Sequence, residues 1–456
     1  MTPQDYIHAL SWDDLPPEVR VQAEMCLLDL IGVGLGGATT RLSHIIRDHA
    51  SRQFGGPLPM LFDGRGTSAL GFALAGGMTI DALDGHDGYN PAKGHVGCGL
   101  LPALLALAQV AEIEGGHEIL TSMVMGYELG ARLGPALHAT APDYHTSGAW
   151  IAVAAAAVGA RLLRLDHAQT AHALGIAEYH GPRSQMMRCI DHPTMVKDGS
   201  GWGAMAGVSA ALLAQDGFTG APALTLGDPP EVWSDLGQTW LIRKQYFKPY
   251  PVCRWAQAPV EAALALCEAH HLTGADIARI EIESFHEATR LATATPRSTE
   301  EAQYSTSYPV AVALARGAVT ATDIGDNALS DNEILRLSLA TEMREHPEAN
   351  AQFPARRLAR VTLVTHADQR MESDWTEPKW DATAPPTEAE VRAKFHGLAD
   401  PIIGPARAQR LEGAVSGLAT DGLAPLLTEL AQPISSAIWH PRPSCRITTL
   451  WRMWSR

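Results

Sequence analysis

The sequence predicts a mainly α-helical protein, in which a large all-helical domain built from both chain ends accompanies a smaller α+β domain. The first two-thirds of the chain contains long Ala-, Gly- and Leu-rich segments whose apolar residues recur at helical spacing. From about residue 275 onward, short stretches alternate apolar and polar residues, as half-buried strands do. Helices should therefore dominate, and the strands should be confined to the later part of the chain.

Four early segments are too long and too apolar for strands, namely residues 18–31, 101–113, 148–164 and 203–215. Segment 148–164 is apolar on nearly every side, so we expect it inside the helical domain rather than at the surface. The many Ala and Gly residues predict close approach between neighbouring helices. No fixed period indicates a repeat architecture.

In the later part, Arg279–Phe285 and Arg360–Thr365 show the alternation of strands. Residues 307–316 and 331–344 have helical spacing and lie between these two strands. Residues 402–431 are helical again, and we expect them to return to the first domain.

These patterns predict an all-helical domain of residues 1–270 and 400–456 and an α+β domain of residues 271–399. The last residues, roughly 433–456, have an unusual composition that includes IWHPRPSC and LWRMWSR. We expect an atypical or poorly ordered tail there.

The composition limits the class of protein. The 456 residues are 46% hydrophobic and 19% charged, which is enough apolar material for a large core. Lys plus Arg number 35 and Asp plus Glu number 50, so the net charge is −15 and argues against a nucleic-acid partner. The six cysteines form no C-x-x-C pair, and no signal peptide or membrane span is visible. We expect a soluble cytoplasmic protein.

Several common catalytic signatures do not apply. The glycines of Gly32–Gly37 follow a helix-like segment rather than a strand, so a packing contact or helix end is favoured over a dinucleotide loop. The chain has no P-loop, no H-E-x-x-H and no G-x-S-x-G. Hydride transfer, phosphoryl transfer and serine hydrolysis therefore lack support.

The stretch Asp81–Gly97 (DALDGHDGYNPAKGHVG) concentrates acids, two histidines and a lysine between two helical segments. An exposed polar loop explains Asp and Gly, but it explains less well His86, Lys93 and His95 placed directly before an apolar helix. An active-site loop is favoured. A metal site of Asp84, His86 and His95 is the weaker alternative, because only the loop geometry could make them converge.

Four further positions carry residues suited to acid–base chemistry or to carboxylate binding. His145 precedes the apolar helix 148–164, and Lys197 precedes a glycine-rich helix start where free amide N–H groups would help it to bind a carboxylate. A structural histidine and a surface lysine are equally compatible with these two patterns. Arg254 lies in an aromatic, proline-containing turn, and Gln303–Tyr308 opens a helix with polar groups.

The order of these motifs resembles the MmgE/PrpD family. The resemblance runs from about residue 5 to about residue 430, and its most specific blocks are GFTGAP (Gly217–Pro222) and KPYPVCR (Lys248–Arg254) in combination. The family includes 2-methylcitrate dehydratase, cis-aconitate decarboxylase and iminodisuccinate epimerase. The resemblance implies a large helical domain with a smaller α+β domain, a homodimer, and catalysis without metal or organic cofactor.

The resemblance also implies roles for particular residues. The family's aspartate motif falls on Asp84, and its loop histidine falls at or next to His95, displaced by one position. We expect the catalytic residues to be His145, Lys197, His95 and Tyr308, and the substrate-binding residues to be Asp84, His86, Lys93 and Arg254.

One motif departs from the family pattern. Where the dehydratase and decarboxylase branches read roughly D-x-D-D-T-x-H, this chain reads DGHDGYN at 84–90, and Lys93 adds a cation. The departure leaves intact the step shared by the family, the removal of a proton or a carboxylate beside a carboxylate. We therefore expect an epimerase of the iminodisuccinate type, acting on a small di- or tricarboxylate. A hydro-lyase of the 2-methylcitrate type is the alternative, and a non-catalytic ligand-binding protein is a third possibility.

Overall fold

The computed structural model describes residues 2–434. The first part of the chain forms α1 (Pro3–Ala9), α2 (Pro17–Ala38), α3 (Arg41–Gln53), the two-residue strands β1 (Leu58–Pro59) and β2 (Gly66–Thr67), α4 (Ala69–Asp81), α5 (Gly97–Val110), α6 (Gly116–Thr140), α7 (Gly148–Leu162), α8 (His167–His180), α9 (Met186–Asp191) and α10 (Ser200–Gln215).

The later part forms α11 (Arg254–His270), β3 (Ile277–Ser284), α12 (His286–Thr289), α13 (Thr299–Gln303), α14 (Ser307–Arg316), α15 (Asn332–Leu339), β4 (Thr341–Glu345), α16 (Pro347–Gln352), β5 (Ala359–Thr365) and β6 (Arg370–Glu372). Four helices follow, namely α17 (Glu388–Ile403), α18 (Pro405–Ser416), α19 (Leu418–Asp421) and α20 (Ala424–Leu430). The predicted tail at 433–456 lies almost wholly outside the described residues.

The mainly α fold with a smaller α+β part is confirmed. The four early segments predicted as helices correspond to α2, α5, α7 and α10, and the two predicted strands correspond to β3 and β5. The main sheet has the order β4-β3-β5-β6, in which β3 is parallel to β4 and antiparallel to β5.

Two segment predictions need correction. The segment 331–344 is not helical throughout, because α15 ends at Leu339 and the chain continues as β4. β4 is an edge strand that is exposed or half-buried along its whole length, so it lacks the strong apolar alternation by which strands are detected. The segment 402–431 is divided among the end of α17 and three shorter helices, with breaks at Gly404, Gly417 and Gly422.

The largest hydrophobic core surrounds α7. Every residue of α7 except Arg161 is buried, as predicted for an all-apolar segment, and α5, α6, α8 and α10 pack around it. Small residues on α7 and α10 allow their backbones to approach closely. The glycines of Gly32–Gly37 lie inside α2, where a Cβ on Gly37 would clash with the carbonyl oxygen of Thr79. This stretch is therefore a packing contact.

A second core lies between α11, α14 and the main sheet. The C-terminal helix α17 packs instead against α2, far away in sequence. The predicted domain limits at 270 and 400 thus fall at the end of α11 and inside α17. The division into two domains with those limits stays a prediction.

Within residues 2–434, no single helix is both long and apolar enough to cross a membrane. Only α2 and α3 taken together reach the required length and composition, and these two helices meet at a bend of 94°.

The close approach of α10 to α7 gives a stability prediction. Gly207→Ala would place a Cβ against the carbonyl oxygen of Ala152, so we expect the free energy of unfolding to fall by about 1–3 kcal/mol. Gly413→Ala, also inside a helix but with open space around it, should raise that free energy by up to about 1 kcal/mol. Urea unfolding of both variants measures the difference. Equal effects would show that packing at Gly207 is not the constraint.

Candidate active site

The polar stretch after α4 is folded inward rather than exposed. Asp81 is the last residue of α4, and from there to the start of α5 almost every residue is buried. The loop bends sharply at Asp84 and Lys93, whose φ angles are 49° and 53°. Inward folding brings several ionisable side chains into the low-dielectric interior, where their charges interact strongly.

Asp84 forms a buried ion pair with Lys248. The Lys248 ammonium donates hydrogen bonds to Asp84 Oδ1 at 2.5 Å and to the Asp84 carbonyl oxygen at 2.9 Å. Burial raises the pKa of Asp84, but Lys248 and Lys197 outweigh burial and hold it below its usual range. Burial likewise lowers the pKa of Lys248, and the Asp84 carboxylate more than offsets that effect. Both groups are therefore charged at neutral pH.

His86 and His95 lie beside this ion pair, with their ring centres 4.3 Å apart. His95 Nδ1 is 2.6 Å from the carbonyl oxygen of Asp87, which can only accept, so Nδ1 carries the proton. Nε2 is then a free acceptor, 3.9 Å from Asp84 Oδ1. Burial, assisted by Lys248 and His86, holds the pKa of His95 well below its usual range. His95 is thus a neutral base.

Lys197 is almost completely buried in the turn before α10 and adopts a left-handed backbone conformation with φ of 49°. Its ammonium donates to Gln303 Oε1 at 2.6 Å and lies 4.7 Å from the ring centre of Tyr304. Gln303 Nε2 donates to the carbonyl oxygen of Ala82 at 3.0 Å, which joins Lys197 to the loop after α4. Within residues 2–434, Lys197 has no carboxylate within 4.0 Å.

Asp198 fixes the start of α7 relative to Lys197. It accepts hydrogen bonds from the Ser147 backbone N–H at 3.1 Å and from the Ser147 hydroxyl. Ser147 Oγ also accepts from the backbone N–H of His95 at 2.9 Å. Burial and the nearby charge of Asp81 raise the pKa of Asp198 above its usual range. This network holds Lys197 and His95 on the two sides of one serine.

His145 lies next to a second histidine, His138. The backbone N–H of His145 donates to His138 Nε2 at 3.2 Å, and the two rings are 6.3 Å apart. His145 Nδ1 is buried and has no hydrogen-bond partner among the described residues. Lys93 lies near this pair, because its ammonium stands 4.5 Å from the ring centre of Tyr144 and its carbonyl accepts the Tyr144 hydroxyl.

One predicted site residue, Tyr308, lies elsewhere, whereas Arg254 lies beside the loop after α4, because its partner Asp381 also accepts a hydrogen bond from Asn90. Tyr308 is wholly buried in the second core, where its hydroxyl donates to the carbonyl oxygen of Ala328 at 3.2 Å. The tyrosine that contacts Lys197 is Tyr304, four positions earlier. Arg254 donates to Asp381 Oδ2 at 2.6 Å and is thereby neutralised. A substrate carboxylate would have to displace that partner.

The structure thus brings Asp84, His86 and His95 into one cluster. Lys197 is joined to this cluster through Gln303. His145 and Lys93 lie around Tyr144. Sequence reasoning did not assign Lys248, Asp198 or Tyr304 to the site. The signal for Lys248 was present in KPYPVCR, as a lysine within an otherwise apolar and aromatic block.

The donor set is a poor fit to a metal ion. Ligand atoms of Asp84, His86 and His95 lie within 4.8 Å of one another. However, the Lys248 ammonium already contacts Asp84 Oδ1, and His86 Nε2 faces Asp81 Oδ1 at 3.3 Å. A divalent cation would have to displace or repel a buried ammonium. Catalysis without a metal stays a prediction.

Residues 4–229 match the MmgE/PrpD N-terminal domain, and residues 250–420 match the MmgE/PrpD C-terminal domain. The chain belongs to the MmgE/PrpD family. Members of this family with similar sequences include a cis-aconitate decarboxylase-like protein, oryM, of Aspergillus oryzae, which is 24% identical over 91% of this chain and 93% of that protein.

The cis-aconitate decarboxylase of Aspergillus terreus is also 24% identical, over 94% of this chain and 95% of its own length. The human cis-aconitate decarboxylase is 24% identical over 76% of each chain. These MmgE/PrpD relatives are named as decarboxylases, which favours a lyase over the epimerase expected from the altered motif at 84–90.

The buried ion pair gives a second prediction. Lys248→Met leaves Asp84 as an unpaired buried charge, so the free energy of unfolding at pH 7 should fall by about 3–5 kcal/mol. The loss should shrink as the pH is lowered, because the buried carboxyl can then take up a proton. Urea unfolding at several pH values measures this.

The double variant Asp84→Asn/Lys248→Met removes both charges and should be less destabilised than Lys248→Met alone. Lys244→Met, at an exposed lysine, is the matched control and should change stability by no more than about 0.5 kcal/mol. Additive losses in the double variant would contradict the pairing.

Proposed function

We propose that this protein is a lyase that cleaves a bond next to a carboxylate in a small polycarboxylate, with cis-aconitate as the first substrate to test. The observation that carries the proposal is the buried ammonium of Lys197, whose hydrogen-bond partner is the neutral amide of Gln303. A buried cation without a carboxylate partner is costly unless it serves an anionic ligand. The names of the relatives support the choice of substrate.

Decarboxylation of cis-aconitate needs electron-pair movement and one proton. The bond to the leaving carboxylate breaks, and its electron pair forms a new double bond. The old double bond gives its pair to the far carbon, which takes up a proton. Negative charge builds on the neighbouring carboxylate during this step, where an ammonium lowers the barrier. We propose that Lys197 provides this stabilisation, so that the step requires neither a metal nor an organic cofactor.

The proton-transfer groups are the histidines. His145 has an unpartnered buried Nδ1 and can deliver or accept a proton without first breaking a hydrogen bond. His95 Nε2 is a free acceptor, and burial keeps that imidazole neutral. We propose His145 as the group that protonates the carbon and His95 as a neutral base that can accept a proton at Nε2.

A second candidate is the epimerase. Two observations at His86 favour it. His86 occupies the position at which the motif of the lyase branches has an aspartate. Its ring centre also lies 4.3 Å from that of His95. Epimerisation requires one proton-transfer group on each face of a carbon. His145 on one side and the His86–His95 pair on the other would satisfy that requirement.

We also propose a homodimer formed through α10. The outer face of this helix is apolar, from Trp202, which is 45% exposed, to Leu213, which is 37% exposed. Val196 and Phe218, at the two ends of the helix, are 62% and 52% exposed. An exposed apolar stripe of this length is typical of an interface. Light scattering at micromolar concentration should give twice the mass of the chain, and a monomer would contradict the proposal.

The test of the reaction is proton NMR in D₂O with the enzyme and cis-aconitate. Decarboxylation should give two separate signals from a terminal CH₂= group and deuterium at the carbon that is protonated. In a separate sample with iminodisuccinate, deuterium at the carbon beside a carboxylate together with the other stereoisomer would indicate an epimerase. Binding without exchange or product, across cis-aconitate, 2-methylcitrate and iminodisuccinate, would favour a non-catalytic protein.

The residue assignments give a further prediction. Lys197→Ala and His145→Ala should each lower turnover of the identified substrate about 10²–10⁴-fold, because each group acts in the transition state. Their melting temperatures should stay near that of the wild type. The exposed residues Lys244 and His192 provide matched alanine controls. Turnover within a few-fold of wild type in both site variants would show that the assignment is wrong.

A further inference from the structure

We propose a second carboxylate subsite, formed by Lys93 and Arg357 around Tyr144, which selects substrates with an additional carboxylate. The inference rests on the proposed function and extends it. Lys197 would bind the carboxylate beside the reacting carbon, and Lys93 with Arg357 would bind a more distant one. Arg357 precedes β5 in the α+β part of the chain, so the subsite joins both parts of the molecule.

Lys93 is held in place from two directions. Its backbone carbonyl accepts the Tyr144 hydroxyl, and its ammonium stands over the Tyr144 ring at 4.5 Å from the centre. Its φ of 53° is a conformation that side chains other than glycine rarely adopt. Lys93 therefore differs from a solvated surface lysine, because its side chain is half-buried and its backbone conformation is strained.

Arg357 reaches the same loop from the opposite side. Only 4% of the residue is exposed. Its Nη2 donates to the carbonyl oxygen of Asn90 at 3.2 Å and its Nη1 donates to that of Pro354 at 2.8 Å. Its Nε is buried without a hydrogen-bond partner among the described residues. These contacts fix the guanidinium beside the Lys93 loop and leave the Nε–H group without a partner among the described residues.

Neither cation has a carboxylate within 4.0 Å among residues 2–434. Glu287 acts on Lys93 only at longer range, and it counters part of the effect of burial and Arg357 on the pKa of that lysine. Other buried cations of the molecule do have such partners: Lys248 pairs with Asp84, Lys394 with Asp29, Arg132 with Glu128, and Arg254 with Asp381. Among residues 2–434, Lys93 and Arg357 share with Lys197 the lack of such a partner, which points to an anionic ligand.

A neutral donor completes the subsite. His138 Nε2 accepts the His145 backbone N–H, so His138 Nδ1 carries the proton, and Nδ1 is buried without a partner. Burial, with Lys93 and His145, lowers the pKa of His138 to about 4, so it stays neutral. The His138 ring lies 5.4 Å from that of Tyr144. A carboxylate at this position would lie next to His145, the proposed proton donor.

The experiment uses two unreactive acids and isothermal titration calorimetry. Propane-1,2,3-tricarboxylate has three carboxylates, whereas 2-methylsuccinate has the same skeleton without one terminal carboxylate. The wild type should bind the tricarboxylate at least roughly tenfold more tightly, as expected for one added charge-assisted contact. Equal affinity of the wild type for both acids would overturn the proposal without any variant being made.

Lys93→Gln and Arg357→Gln should weaken tricarboxylate binding roughly ten- to hundredfold and weaken 2-methylsuccinate binding much less. Arg356→Gln is the matched control, because its neighbouring guanidinium is exposed and paired with Glu377. If both variants weaken both acids by the same factor, the cations have only a general electrostatic or structural effect, and the subsite is wrong.

Three further outcomes can be distinguished. If Arg357→Gln fails to fold, the half-exposed Lys93 still carries the test. If the tricarboxylate preference is present and depends on Lys93, but cis-aconitate gives no product by NMR, the subsite stands and the proposed reaction fails. If cis-aconitate is decarboxylated but the preference is absent, the reaction stands and the subsite fails.

Discussion

The buried ion pair between Lys248 and Asp84 is the constraint on which the site depends. It joins two residues that are 164 positions apart and closes the loop after α4 against the segment that leads into α11. Because the pair lies in the interior, removing either charge leaves the other without compensation. The positions of His86 and His95 follow from the same loop, since both rings pack beside the Asp84 carboxylate.

The pairing of Lys248 with Asp84 also determines which buried cation remains available to a substrate. The net charge of −15 is spread over the molecule, whereas substrate recognition depends on a few buried groups. With Lys248 neutralised by Asp84, the ammonium of Lys197 is a buried charge bound mainly by a neutral amide. We propose that this ammonium can attract a carboxylate although the protein as a whole is acidic. The Asp198–Ser147 network keeps Lys197 in position, because it anchors the turn that carries Lys197 to the start of α7.

Much of the fold could be predicted from the sequence because apolar residues recur at regular helical spacing along most of the long helices. The helices α2, α5, α7 and α10 were predicted for this reason, whereas β4 was missed because an exposed edge strand has no such pattern. In the site, the loop 81–97 was detected by local composition. Lys248 and Arg357 were not, because their roles depend on contacts with residues far away in sequence. The different surroundings of Tyr304 and Tyr308 also could not be read from the sequence, since four positions along a helix start decide which core a ring enters.

The arrangement separates the chemistry from the selection of substrate. In the proposed mechanism, proton transfer needs imidazole groups and a cation beside the reacting carboxylate, and we assign these roles to His95, His145 and Lys197, which lie on or near the helical core. Selection between acids of different charge needs cations further away. In the proposed subsite these are Lys93, on the loop 81–97, and Arg357, which precedes β5. His145 and Lys197 lie outside the loop that carries Lys93, so loop substitutions such as those at 86, 88 and 90 can change the substrate while these two groups stay in place. The altered motif is therefore compatible with a lyase that accepts an acid different from that of its relatives.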